Sequence, residues 1–194
     1  MSNNFPPRSV HESEIGVLVA FLESIIPEHN AVYMSAPITS GKRYIHWIEQ
    51  HPGNRDFSGC NQNLEFTRNV VEKNREHSRA VVKKLRSSFP GNVLIDPTVV
   101  PDLPDWSQDD YRFAWGQIIE SYAKILVCSE DWQFSSGCVY EFLVARNSKI
   151  QTFDEDLNEI SLEKGKQLIQ EAISILRSHE LSTAFHEAVY NELA

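Results

Sequence analysis

The sequence predicts an α/β fold, a three-layer sandwich of Rossmann-like or flavodoxin-like type around a parallel sheet of four to five strands. Two observations carry this. Short apolar runs at 31–36, 93–95, 124–128 and 149–153 alternate with longer stretches of helical periodicity. Runs such as Val93–Ile95 and Ile125–Cys128 are apolar at consecutive residues rather than at every second one, as expected of parallel strands covered on both faces. Four strands are read directly, and a fifth is allowed for near the C-terminus. The 194 residues form a single α/β domain on this reading. Residues 1–30 are a helical addition, 31–153 the core, and 154–194 further helices.

The elements follow in order. Ser9 or Ser13 starts a helix that runs to about Ile26, with Val10, Ile15, Val17, Leu18, Phe21, Leu22 and Ile25 as its broad apolar stripe. Ala31–Ala36 is the first strand, and Pro37–Lys42 turns at its C-terminal end, where open α/β sheets hold ligands. Gly41-Lys42 does not make a P-loop, because Ala36 replaces the upstream glycine and Arg43 replaces the magnesium-binding hydroxyl. Tyr44–Phe57, aromatic and polar together, reads as a flap or lid. Asn63–Ser87 is the longest helix, and its Lys73, Arg75, Arg79, Lys83, Lys84 and Arg86 read as a solvated face interleaved with Glu72 and Glu76. Val93–Ile95 is the second strand. It ends at Asp96-Pro97, where Asp96 faces the site or caps a turn. Pro101, Pro104 and Trp106 form a loop, and Ser107 or Asp109 caps a helix carrying Tyr111, Phe113, Trp115 and Ile118. The third strand, Lys124–Cys128, leads through Asp131–Cys138 into a helix over Val139–Asn147. Lys149–Phe153 is the fourth strand, and helices follow over 161–178 and 183–193.

The turn after the third strand organises the rest. Small residues between a strand and a helix present free backbone N–H groups, and a helix start attracts anions. Glu141 stands about one turn inside that helix. A carboxylate beside an anion site disfavours simple anion binding and suggests catalysis. The alternative is that Ser135 or Ser136 caps the helix and Glu141 favours its positive end.

Composition narrows the classes. A formal charge of −9, from 27 acidic and 18 basic residues, argues against a nucleic-acid polymer as partner. No long apolar run predicts a membrane span, and Met1–Pro7 is too polar for a signal peptide. Cys60, Cys128 and Cys138 have no paired spacing, which suits a reducing cytoplasm. His46, His51 and Cys60 match no zinc pattern, so no metal or other cofactor is expected. The lack of GxGxxG after the first strand disfavours dinucleotide redox chemistry.

Three features together resemble the nucleoside 2-deoxyribosyltransferase-like superfamily, over about Ala31–Phe153. They are Tyr33 with Ser35-Ala36-Pro37-Ile38 and Gly41, Asp96-Pro97, and Trp132-x-x-Ser135-x-Gly137-x-x-x-Glu141 with Ala145 beyond. The superfamily contains deoxyribosyltransferases and nucleoside 5′-monophosphate N-glycosidases. The resemblance implies that Glu141 is the nucleophile on the sugar C1′ and that Tyr33 holds it ionised and aimed. It implies a phosphate cradle at Ser135 and Gly137, with Tyr140 also resembling the monophosphate-hydrolysing branch, and a homo-oligomer. The chain also departs from the pattern. Thr39 and Ser40 stand where that branch has an arginine and a glycine, so Lys42 or Arg43 is the candidate for the positive charge. Gly116 stands where the base-contacting aspartate is expected, leaving Asp109, Asp110 or Glu120 as substitutes. The candidate substrate-binding set is therefore Ser135, Gly137, Ser35, Gly41, Lys42, Arg43, Asp96 and Asp110. The leading expectation is cleavage or transfer of an N-glycosidic bond in a nucleotide or nucleoside. Nicotinamide release from an NAD-type dinucleotide and nucleotide binding without turnover are the alternatives.

Overall fold

In the computed structural model, residues 11–26, 30–52, 63–100, 103 and 105–193 are described. The described residues form an α/β protein with a four-stranded, all-parallel sheet, β1 (Ala31–Ser35), β2 (Val93–Ile95), β3 (Ala123–Cys128) and β4 (Gln151–Asp154), in the order β2-β1-β3-β4. Each strand lies within about two residues of its predicted run. No fifth strand occurs among the described residues. The helices are α1 (Glu12–Glu23), α2 (Lys42–Gln50), α3 (Leu64–Phe66), α4 (Glu72–Ser88), α5 (Gln108–Tyr122), α6 (Ser136–Asn147), α7 (Leu162–Ser178) and α8 (Ala184–Glu192). A π-helical segment, Thr67–Val71, joins α3 to α4 without a break.

Alternation along the central strands divides the core in two. Val32, Met34, Ile125 and Val127 face α4, meeting Val81, Val82 and Leu85. Tyr33, Leu126 and Cys128 face the other way, onto Ile118 and Ile119 of α5 and Val139 and Phe142 of α6. Ile169 and Ile173 of α7 and Val189 of α8 extend that second layer. Three layers result, consistent with the flavodoxin-like arrangement. β1 is paired in register with both β2 (Tyr33 with Ile95) and β3 (Tyr33 with Leu126). The chain therefore leaves β1 toward one side first and returns to the other, which opens a crevice at the carboxyl ends of β1 and β3.

The predicted lid at Tyr44–Phe57 is corrected over its first part. Residues 42–50 form α2, and Tyr44, Ile45, Trp47 and Ile48 are buried. Their spacing builds one helical face, which packs on Phe66, Val70 and Val71. Positions 53–57 of the predicted lid, and Pro101 and Pro104 of the predicted rigid loop, lie outside the described residues. α6 begins at Ser136 rather than Val139, because Ser135 takes the N-cap. On α4, Lys73, Arg79, Lys83, Lys84 and Arg86 are exposed, as read from the sequence, and Lys73 pairs with Glu76. No helix of the described residues is long and apolar enough to cross a membrane.

Candidate active site

β1 and α6 build the centre of the site. Tyr33 and Ser35 are two apart on β1, so both side chains leave the same face of the sheet, toward α6. The Tyr33 hydroxyl donates to Glu141 Oε1 at 2.6 Å, and the Ser35 hydroxyl donates to Oε2 at 2.5 Å. Each carboxylate oxygen thus has one fixed donor, which holds the side chain in a single orientation. Glu141 is 7% exposed. Burial raises its pKa to about 7, with the hydrogen bonds from Ser35 and Tyr33 opposing the rise. Burial and the neighbouring carboxylate push the Tyr33 phenol well above its ordinary value, so it stays a neutral donor.

Glu141 opens into a cavity of about 710 Å³, lined by the β1–α2 loop, one face of α5, the first turn of α6 and the α7–α8 hairpin. The α5 face carries Gln108, Tyr111, Arg112 and Trp115, spaced for one side of a helix. At the start of α6 the Ser135 hydroxyl accepts from the Cys138 N–H at 3.4 Å, and Ser136 and Gly137 border the cavity. Arg112 points at this helix start. It donates to Ser136 Oγ at 2.7 Å and to Asp109 at 2.6 Å, and lies 4.1 Å over the Phe185 ring. Its buried Nε has no hydrogen-bond partner among the described residues. His186 of α8 is 4% exposed, lines the same cavity, and has a buried Nε2 with no hydrogen-bond partner among the described residues. Burial lowers its pKa to about 4, with the Arg112 charge adding to the effect, so the ring is neutral at pH 7. Burial beside Glu141 pushes the Cys138 thiol up to about 12, which removes it as a nucleophile.

Of the residues singled out in the sequence, Tyr33, Ser35, Ser135, Gly137 and Glu141 are brought together here. Gly41, Lys42, Arg43, Asp96 and Asp110 do not line the cavity. Gly41 takes φ 93°, which glycine adopts freely, where the chain turns into α2. The Lys42 amine lies 3.1 Å from Asp131, whose other oxygen accepts the Lys42 N–H at 3.0 Å. Arg43 donates to Asn74, and Asn74 in turn donates to the carbonyls of Ile38 and Ser40, holding the loop that borders the cavity. Asp96 caps its own turn by accepting from the N–H and hydroxyl of Thr98. Asp110 closes the N-terminus of α5 in a capping box with Ser107. These residues shape loops and helix ends. The positive charge assigned to Lys42 or Arg43 comes to the cavity from Arg112 instead. At Gly116, an added Cβ would lie 3.2 Å from the Tyr140 ring, so this position is a close contact between α5 and α6, where a side chain needs the Tyr140 ring to give way. Trp132 of the motif is buried against Phe142, with ring centres 4.8 Å apart.

Arg112 and His186 belong to no motif of the sequence. The α5 spacing of Gln108, Tyr111, Arg112 and Trp115 was the available signal for the first. His186 carries none, because α8 reaches the site only through tertiary packing.

The described fold and site define a class: a parallel α/β protein with a buried, doubly hydrogen-bonded glutamate at the carboxyl edge of its sheet. No family model, no curated protein and no solved structure matches the chain.

Replacing Tyr33 with Phe removes one of the two bonds that oppose the rise in the Glu141 pKa. The carboxyl titration, followed by carbon-detected NMR of labelled glutamate, is expected to move up by about one unit. An unchanged titration would show that the phenol does not stabilise the ionised form.

Proposed function

We propose that the chain cleaves or transfers the N-glycosidic bond of a nucleotide or nucleoside, with Glu141 as nucleophile. The observation that carries this is the paired grip of Tyr33 and Ser35 on a buried carboxylate that opens into a cavity. The resemblance of Tyr33, Ser35, Ser135, Gly137 and Glu141 to the nucleoside 2-deoxyribosyltransferase-like pattern supports the same reading. In the first step a Glu141 oxygen forms a bond to C1′ of the sugar. The C1′–N bond breaks and its electron pair leaves with the base, which takes up a proton from solvent that the attacking water or second base returns in the next step. Water or a second base then attacks C1′ and releases the Glu141 carboxylate. The transition state resembles an oxocarbenium ion, and an aimed anion beneath C1′ stabilises it.

The start of α6 with Ser135, Ser136 and Gly137, reinforced by Arg112, supports a phosphorylated substrate, because N–H donors and a guanidinium there favour an anion. The aromatic side chains Tyr111 and Trp115 on α5 offer faces for a base. Assembly into a homo-oligomer and residence in the cytoplasm belong to the same proposal.

The deciding experiment incubates the protein with ribo- and deoxyribonucleoside 5′-monophosphates, their nucleosides and NAD, and measures free base by chromatography. Base is expected from monophosphates ahead of nucleosides, with a rate that rises with pH as Glu141 ionises around pH 7. Release of nicotinamide alone would redirect the reading to dinucleotides. No release from any compound would overturn the enzymatic reading and leave nucleotide binding.

A further inference from the structure

The cavity carries a second carboxylate, and it bears on which base the site takes; the inference rests on reading the cavity as a nucleotide or nucleoside site. Among the described residues that line it, Glu141 and Glu180 are the two carboxylates. Glu141 is held by Tyr33 and Ser35. Glu180 is exposed, on the turn between α7 and α8. That turn is well defined. The Glu180 N–H bonds to the Arg177 carbonyl at 3.0 Å and the Leu181 N–H to the Leu176 carbonyl at 2.9 Å, with Glu180 at φ 59°. This bond pair ends a helix on a left-handed residue, a position where glycine is usual. Lys149 fills the same position after α6, so the backbone alone assigns nothing to Glu180. Leu181 packs beside Leu176, Phe134 and Ile45, which fixes the turn against the rest of the cavity wall.

The polar groups lining the cavity differ in what they can offer. Arg112 and the N–H groups at the start of α6 are donors, and they suit the anionic part of a substrate. An ionised carboxylate only accepts, and it repels a phosphate. Glu180 is therefore unsuited to the phosphate and suited to the donor edge of the base. An exocyclic amino group offers it N–H donors, whereas an exocyclic oxygen would meet it with lone pairs on both sides. We infer that Glu180 is a specificity-determining residue that selects bases bearing an exocyclic amino group over their oxo counterparts.

The test reads binding, so that it does not depend on turnover. Adenine and hypoxanthine 5′-monophosphates, and cytosine and uracil 5′-monophosphates, are titrated calorimetrically into Glu141→Gln protein with and without Glu180→Gln. Glu180→Gly serves as a second variant, because glycine suits the φ of this turn and should fold at least as well. With Glu180 present, the amino-bearing member of at least one pair is expected to bind about tenfold or more tightly. Either Glu180 variant should bring that pair to within about threefold, chiefly by weakening the amino-bearing ligand. Equal binding with Glu180 present, or a preference that survives both variants, would overturn the inference. Absence of nucleotide binding to any form would instead overturn the reading of the cavity itself, and the inference with it.

Discussion

Glu141→Gln is expected to abolish base release, by at least about 10³-fold, while making the folded protein more stable at pH 8. The activity loss follows because a carboxamide cannot form the glycosyl ester. The fold should survive, since the carboxamide oxygen still accepts from Tyr33 and the Ser35 hydroxyl can turn to accept from the amide. The stability gain follows from proton linkage. The folded pKa, about 7, lies above the roughly 4.3 of an unfolded glutamate, so between these values the folded state holds a proton that the unfolded state has shed. The sign is therefore that wild-type stability falls as pH rises from about 4.5 through 7, by up to about 3 kcal/mol. The variant has no such loss. Thermal melts at pH 4.5 and pH 8 check this: the two proteins should match at the acid pH, and the variant should melt about 5 °C or more higher at pH 8. Equal melting temperatures at pH 8 would show that Glu141 is not held at a cost. A parallel base-release assay that found retained activity would remove Glu141 from the chemistry.

Gly165→Ala is expected to destabilise the protein by about 2 kcal/mol or more, although alanine favours a helix interior by roughly 1 kcal/mol over glycine. Gly165 lies in α7, where an added Cβ would fall 2.2 Å from Cζ and 2.5 Å from Cε1 of Phe142. Phe142 is fully buried and already packed on Trp132, so the ring has little freedom to retreat. The strain should pass to α6, which carries Phe142 and Glu141 side by side. Urea denaturation would read the stability loss as a lowered midpoint at unchanged slope. A midpoint at or above that of wild type would mean that α7 and α6 can separate freely. In that case α7 would not be a rigid wall of the cavity.

Both predictions depend on how local signals and packing divide the work. The inner strands are readable because a parallel strand covered on both faces is apolar at consecutive residues, as at Ile125–Cys128, whereas the edge strand Gln151–Asp154 is mixed in polarity. The turn into α6 is readable because Ser135 and Gly137 are small residues between a strand and a helix, although the helix begins three residues before the predicted Val139. The helix α2 is not legible in the sequence, because its burial against Phe66 and Val70 is not a local property and its mixture of Tyr44, His46 and Trp47 also describes a loop. Asp96 and Asp110 were plausible as site residues until their oxygens were seen to accept from Thr98 and Ser107, a choice between neighbouring donors that only backbone geometry makes.

By itself, the sequence determined that this is an α/β protein with a glutamate just inside a helix that follows a central strand. Only the tertiary structure decided what that glutamate meets. Tyr33 and Ser35 reach Glu141 from 108 and 106 residues away, because the parallel register of β1 beside β3 brings the end of one strand to the helix that follows the other. Arg112 reaches the cavity from α5, and Glu180 and His186 reach it from the α7–α8 hairpin. Each local pattern is satisfied by an ordinary helix or turn, and their convergence arises from burying the apolar faces of α5, α7 and α8 in one core.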